Sequence, residues 1–269
     1  MSRLDDCFQK LKSQGRPALI PFLPAGDPHL AFTGQLIDTA IAHGADILEI
    51  GFPFSDPLAD GAVIQASYAR ALQNGLHLDA IFTAIADWVH KHPTIPMVGM
   101  VSYSLVFRQG PDKFFERSKK AGLSGLVIPD LPLEEAANVV GSVRSASLDL
   151  IQLVTPMTPI GRATHIAQLG SGFLYVVSVT GITGARVSLS EQLIERLQAL
   201  RPCTALPLCV GFGISRPEQI QTLRPFVDGV IVGSALVKYL EQIPAIGEAQ
   251  VLQQVGQKVS ELARALACP

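Results

Sequence analysis

Eight apolar, β-branched runs recur along the chain, each ending in Gly, Pro, Ser or Asp, and this repetition constrains the fold more than any other feature. They occupy residues 19–26, 45–52, 96–102, 125–130, 149–156, 173–179, 207–213 and 228–234. Between them lie segments of helical period, among them 30–43, 114–121, Leu133–Ser145 and Glu191–Leu200. Strands joined by helical crossovers must pair in parallel, with right-handed connections. Eight such units in 269 residues suit a closed barrel better than an open doubly wound sheet, which needs fewer strands or a second domain. The expected architecture is α/β: a single-domain (β/α)8 TIM barrel over residues 1–269. Leu4, Phe8 and Leu11 mark one face of an extra N-terminal helix, and Glu248–Ala267 reads as a closing surface helix.

Composition agrees with strands buried on both faces: 48% of residues are hydrophobic and only 16% charged, against roughly 25% charged in an average soluble domain. The formal net charge of -2 supplies no field for phosphate backbones or anionic membranes, which argues against a nucleic-acid or membrane-surface role. Residues 163–185 carry no Asp, Glu, Lys or Arg, yet their glycines, His165 and Gln168 break them into a helix end, a strand and a loop rather than a membrane span. The start of the chain alternates charges instead of leading into an apolar run, so no secretory signal is expected. Cys7, Cys203, Cys209 and Cys268 show no CxxC spacing and read as reduced, mostly buried thiols of a cytoplasmic protein.

The chemistry-bearing residues cluster at the carboxyl ends of the strands, where barrels build their sites. Glu49 stands inside an apolar strand, between Leu48 and Ile50. Side chains alternate, so Ile47, Glu49 and Gly51 share a face directed into the barrel, while Leu48 and Ile50 face the helices. A carboxyl there loses its hydration and is either bonded to a neighbouring Ser, Thr or Tyr or kept for proton transfer with a raised pKa. Asp60, in the loop PFSDPLADG, is either a turn or capping residue or the second member of an acid–base pair. Gly211-Phe212-Gly213 closes the seventh run, Gly233-Ser234 the eighth, and Gly184 lies after the sixth. Such glycines either break turns or let backbone N–H groups approach a phosphate. The string GFGISR lacks the third glycine of a dinucleotide fingerprint. No HExxH, metal-ligand spacing or GxSxG elbow occurs, and no lysine lies within a strand run as a Schiff-base nucleophile would.

The string from Leu48 to Gly61, LEIGFPFSDPLADG, resembles the signature of the tryptophan synthase alpha subunit family. PFLPAGDP (21–28), IPDLPLEE (128–135), TPMTPIGR (155–162), SVTGITGAR (178–186), GFGIS (211–215) and VGSALV (232–237) follow the family in order and spacing. The resemblance implies a carbon–carbon lyase of amino-acid biosynthesis that splits indole-3-glycerol phosphate by retro-aldol cleavage into indole and glyceraldehyde 3-phosphate. It implies that Glu49 transfers protons and that Asp60 bonds the indole N–H. It further implies that Phe22, Tyr175 and Phe212 line the indole pocket, that Gly184, Gly213, Gly233 and Ser234 seat the phosphate, and that Thr183 lies in a segment closing over the substrate.

The same resemblance implies a beta subunit partner, in an alpha2beta2 hetero-tetramer, that carries pyridoxal phosphate; this chain would need no cofactor or metal. The loop 53–60 and the segment around Thr183 would contribute to that contact. The family's third strand usually ends in Tyr-x-Asn, whereas Ser102-Tyr103-Ser104 stands here, with Tyr103 expected on the opposite side from the family's Tyr; Ala62 replaces a common Pro. Competing readings are another phosphate-binding barrel of the same pathway, a non-catalytic regulatory subunit, and a stand-alone lyase releasing free indole.

Overall fold

The computed structural model describes residues 2–56, 60–178 and 191–267. Its eight strands are β1 (Ala18–Pro24), β2 (Leu48–Gly51), β3 (Met97–Met100), β4 (Gly125–Val127), β5 (Asp149–Val154), β6 (Leu174–Val177), β7 (Leu208–Gly211) and β8 (Gly229–Val232). All pair in parallel and in chain order, and β8 returns to β1 to close the barrel. Each of the eight apolar runs therefore holds one strand. The strands stop short of the runs because Gly, Pro and Asp turn the chain into loops at the barrel mouth. The helices Leu133–Ser145, Glu191–Leu200 and Glu248–Ala267 coincide with their expected spans.

Alternation along the strands sorts the apolar residues into two layers. Ile20, Phe22, Ile47, Val98, Val127 and Ile231 pack inside the barrel. Leu19, Leu48, Ile50, Leu126, Val210 and Val230 face outward into the shell of helices. The N-terminal helix Arg3–Ser13 is held at its start by a capping box between Ser2 and Asp5. Its Leu4, Phe8 and Leu11 join the inner layer, and Phe8 meets Phe173 edge-on at 6.0 Å. This helix plugs the amino-terminal end of the barrel, which leaves the opposite mouth for chemistry.

Two details differ from expectation. Strand β3 ends at Met100, and Ser102 caps the helix Tyr103–Gln109. Strand register thus does not govern Tyr103, whose ring packs on Phe107 and the outer core. Among the described cysteines only Cys209 is buried; Cys7 and Cys203 are partly exposed, and Cys268 lies outside the described residues. No described helix is long and apolar enough to cross a membrane; the described part of the uncharged stretch instead holds the end of the helix Ile160–Leu169 and then β6.

Candidate active site

Glu49 sits on the inward face of β2, in register with Phe22 on β1 and Val98 on β3. It is 1% exposed, and neither carboxyl oxygen has a hydrogen-bond partner among the described residues. The reading in which a neighbouring Ser, Thr or Tyr bonds it structurally therefore fails there. An ionised carboxylate so placed would bear its whole desolvation penalty, which favours the protonated form. Burial, and next the charge of Asp60, push its pKa up to about 8.

Asp60 is 8% exposed, at the end of the loop that follows β2. The N-cap of the helix Ala62–Gln73 is Gly61, with no side-chain cap, so Asp60 is not spent on capping. The Gln65 amide donates to the Asp60 backbone carbonyl at 2.8 Å and pins the loop end, leaving the carboxylate free of hydrogen bonds among the described residues. Burial, and next Asp130, raise its pKa to about 6. The charge of Asp60 thus acts on Glu49, and burial raises the pKa of both carboxyls, that of Glu49 further than that of Asp60.

Asp60 shares a cleft at the mouth with Phe52, Tyr68, Met100, Ser102 and Asp130. Asp130, just beyond β4, is fixed by the Ser102 hydroxyl at 2.7 Å and the Tyr103 backbone N–H at 2.6 Å. Three aromatic rings border the interior. Phe22 lies beside Glu49 in register, its ring tip over Gly51, and Tyr175 and Phe212 meet edge-on at 5.9 Å. Phe212 and Gly213 are both left-handed, at φ 69° and 71°, so the chain turns sharply on leaving β7, and the Ser178 hydroxyl donates to the Phe212 carbonyl. Gly233 follows β8 beside the Phe22 side chain, and Ser234 opens the one-turn helix Ser234–Val237. Thr183 and Gly184 lie outside the described residues.

Sequence reasoning gave no role to Tyr68 or Asp130. Asp130 could have been found as an acid at the carboxyl end of a barrel strand. Tyr68 was hidden because its spacing with Ile64 and Ala71 reads as an ordinary apolar helix face. Among the described residues no three metal-ligating side chains come together.

A closed parallel barrel whose mouth gathers a buried interior glutamic acid, a buried aspartate and glycine turns after its last two strands belongs to the (β/α)8 class, with a candidate acid–base site where such barrels build theirs. The family model for the tryptophan synthase alpha chain matches residues 8–267, and the chain belongs to that family. The tryptophan synthase alpha chain of Rhodopirellula baltica is 47% identical over 241 residues, covering 88% of this chain and 86% of the relative. That of Methanocaldococcus jannaschii is 41% identical, covering 89% and 85%. Among solved structures, Mycobacterium tuberculosis tryptophan synthase superposes with a TM-score of 0.90 at 30% identity, covering 100% of this chain and 99% of that one. The alpha chain from Legionella pneumophila gives 0.88 at 33%, covering 99% and 97%.

Proposed function

We propose that this chain cleaves indole-3-glycerol phosphate into indole and glyceraldehyde 3-phosphate, with Glu49 and Asp60 as its catalytic pair. The Glu49 carboxyl gives its proton to C3 of the indole ring, and the resulting carboxylate takes the proton of the neighbouring glyceryl hydroxyl. As that O–H bond breaks, the aldehyde forms, the bond to C3 breaks, and its electron pair restores the aromatic indole. Glu49 ends as it began, protonated. Asp60 accepts the ring N–H and opposes the positive charge that grows in the ring when C3 is protonated.

The observation that carries this reading is Glu49 itself: an interior carboxyl with both oxygens unpartnered among the described residues and a pKa raised to about 8. A fold keeps such a group at a cost in stability, which disfavours the non-catalytic alternative. Phe22, Tyr175 and Phe212 would flank the indole ring. The turns at Gly213, Gly233 and Ser234, with Gly184, would hold the phosphate through backbone N–H groups. Thr183 would belong to the segment that closes over the substrate. The chain acts as one domain in the cytoplasm, needs no cofactor of its own, and passes indole to a tryptophan synthase beta subunit in an alpha2beta2 assembly. The pyridoxal phosphate belongs to that partner.

The test is indole release from indole-3-glycerol phosphate by the wild type and by Glu49→Gln. Gln keeps the volume and removes the transferable proton, so turnover should fall by at least ~10²-fold with substrate affinity little changed. Near-normal turnover would overturn the assignment.

A further inference from the structure

We propose that Tyr68 is a positioning residue of this site: when substrate occupies the cleft, its phenolic O–H donates a hydrogen bond to the Asp60 carboxylate and holds it against the ring N–H. The inference rests on the catalytic roles proposed above.

Its first support is the way the sequence aims the side chain. Tyr68 lies two turns into the helix Ala62–Gln73, which begins just after Asp60. Helical side chains lean toward the helix N-terminus, so a long one in the second turn reaches back over the first. The ring is 3% exposed, yet it lines the same mouth cleft as Asp60. The second support is the space reserved for the hydroxyl. A Cβ placed on Gly51 would stand 2.5 Å from the Tyr68 oxygen, so glycine at the end of β2 is what admits the phenol. Gly51 is the next residue after Glu49 on the same inward face, so the hydroxyl stands at the mouth end of the face that carries Glu49, within the electrostatic reach of both carboxyls.

The third support is donor bookkeeping. No hydrogen bond from a described residue reaches the Asp60 carboxylate, which lines the mouth cleft and is available there as an acceptor. The groups facing it are mostly acceptors: Glu49 from β2, Asp130 from beyond β4, and Asp56 from its own loop. Tyr68 and Tyr175, from β6, are the buried phenols coupled to the pair, and only Tyr68 also lines the cleft. Burial and the two carboxylates push the Tyr68 phenol well above its ordinary range, so it stays an O–H donor throughout the working pH.

The experiment is Tyr68→Phe, which keeps the ring, followed by kcat and KM for indole release across pH. A donor to a carboxylate favours its ionised form, so removing it raises the Asp60 pKa. The acidic limb of the profile should move up by about half a unit to one unit, kcat should fall about tenfold, and KM should change less than threefold. Thermal unfolding of the variant, alongside Tyr68→Leu, separates loss of the hydroxyl from loss of packing. If both variants unfold earlier but keep the wild-type acidic limb, Tyr68 is only a packing residue and the proposal fails. An unchanged kcat and limb in a well-folded Tyr68→Phe also overturns it. A wild type that releases no indole sinks the catalytic reading instead, so the two failures are distinct.

Discussion

The Tyr175 hydroxyl stands in the space that a Cβ on Gly211 would occupy, closer than real atoms approach. The Tyr175 Cζ would lie 2.6 Å from the same point. Glycine at the end of β7 thus admits an inward phenol from β6, as Gly51 at the end of β2 admits Tyr68 from a helix. The ring so placed packs on Phe212, at the border of the proposed indole pocket. Gly211→Ala should therefore displace the ring, lower kcat/KM at least ~10-fold and destabilise the fold by about 1–3 kcal/mol through overpacking. Urea unfolding of Gly211→Ala, Tyr175→Phe and the double variant checks the cause. The methyl should cost less in the Phe background, where the nearest atom is gone, and equal costs would show that it meets something else.

The two carboxyls set opposite limbs of the pH profile. Asp60 must lose its proton to accept the ring N–H, so kcat/KM should rise as pH climbs through about 6. Glu49 must hold its proton to deliver it to C3, so activity should fall as pH climbs through about 8. The maximum then lies near neutrality. The second ionisation of a phosphate ester also falls near 6, so Asp60→Asn assigns the acidic limb: residual activity should lose the part due to the protein and keep any part due to substrate. A wild-type profile flat from about pH 5.5 to 8.5 would contradict both roles.

The barrel was legible because period-2 and period-3.6 patterns with Gly and Pro stops are local properties, which closure does not alter. Glu49 was legible for a related reason: a charged residue inside an apolar strand conflicts with its surroundings in the sequence itself. Asp60 could be read in the sequence only as a turn or capping residue or as an acid–base partner, because loop aspartates serve all of these; the N-cap at Gly61 removes capping of the next helix from that set. Asp130 left one signal, an acid closing the fourth apolar run, whereas Tyr68 left none. That both belong to one cleft follows from which helix and which strand end the closed barrel brings together, a distance in space that spacing in sequence does not encode. Tyr103 misled because its side was inferred by carrying strand register past the third run, whereas the Ser102 cap has already started a helix.

Glu49 should also cost the protein stability, in a pH-dependent way. Unfolded, its carboxyl ionises near the ordinary value of 4.5; folded, it holds its proton to about 8. Below the lower value both states are protonated and folding loses nothing. Between the two, folding must take up a proton, so stability declines steadily as pH rises. Above the higher value the full penalty applies. At about pH 7 the loss amounts to about 3 kcal/mol, at 1.36 kcal/mol per unit. Gln carries no charge at any of these pH values and leaves a buried polar group of similar size. Glu49→Gln should therefore unfold at higher urea than the wild type at neutral pH, and the gain should shrink toward zero near pH 4.5. The same substitution would remove turnover, which makes it a direct exchange of activity for stability. A gain independent of pH, or a loss of stability at neutral pH, would show that the folded carboxyl is ionised and that the acid proposed for C3 protonation is not held there.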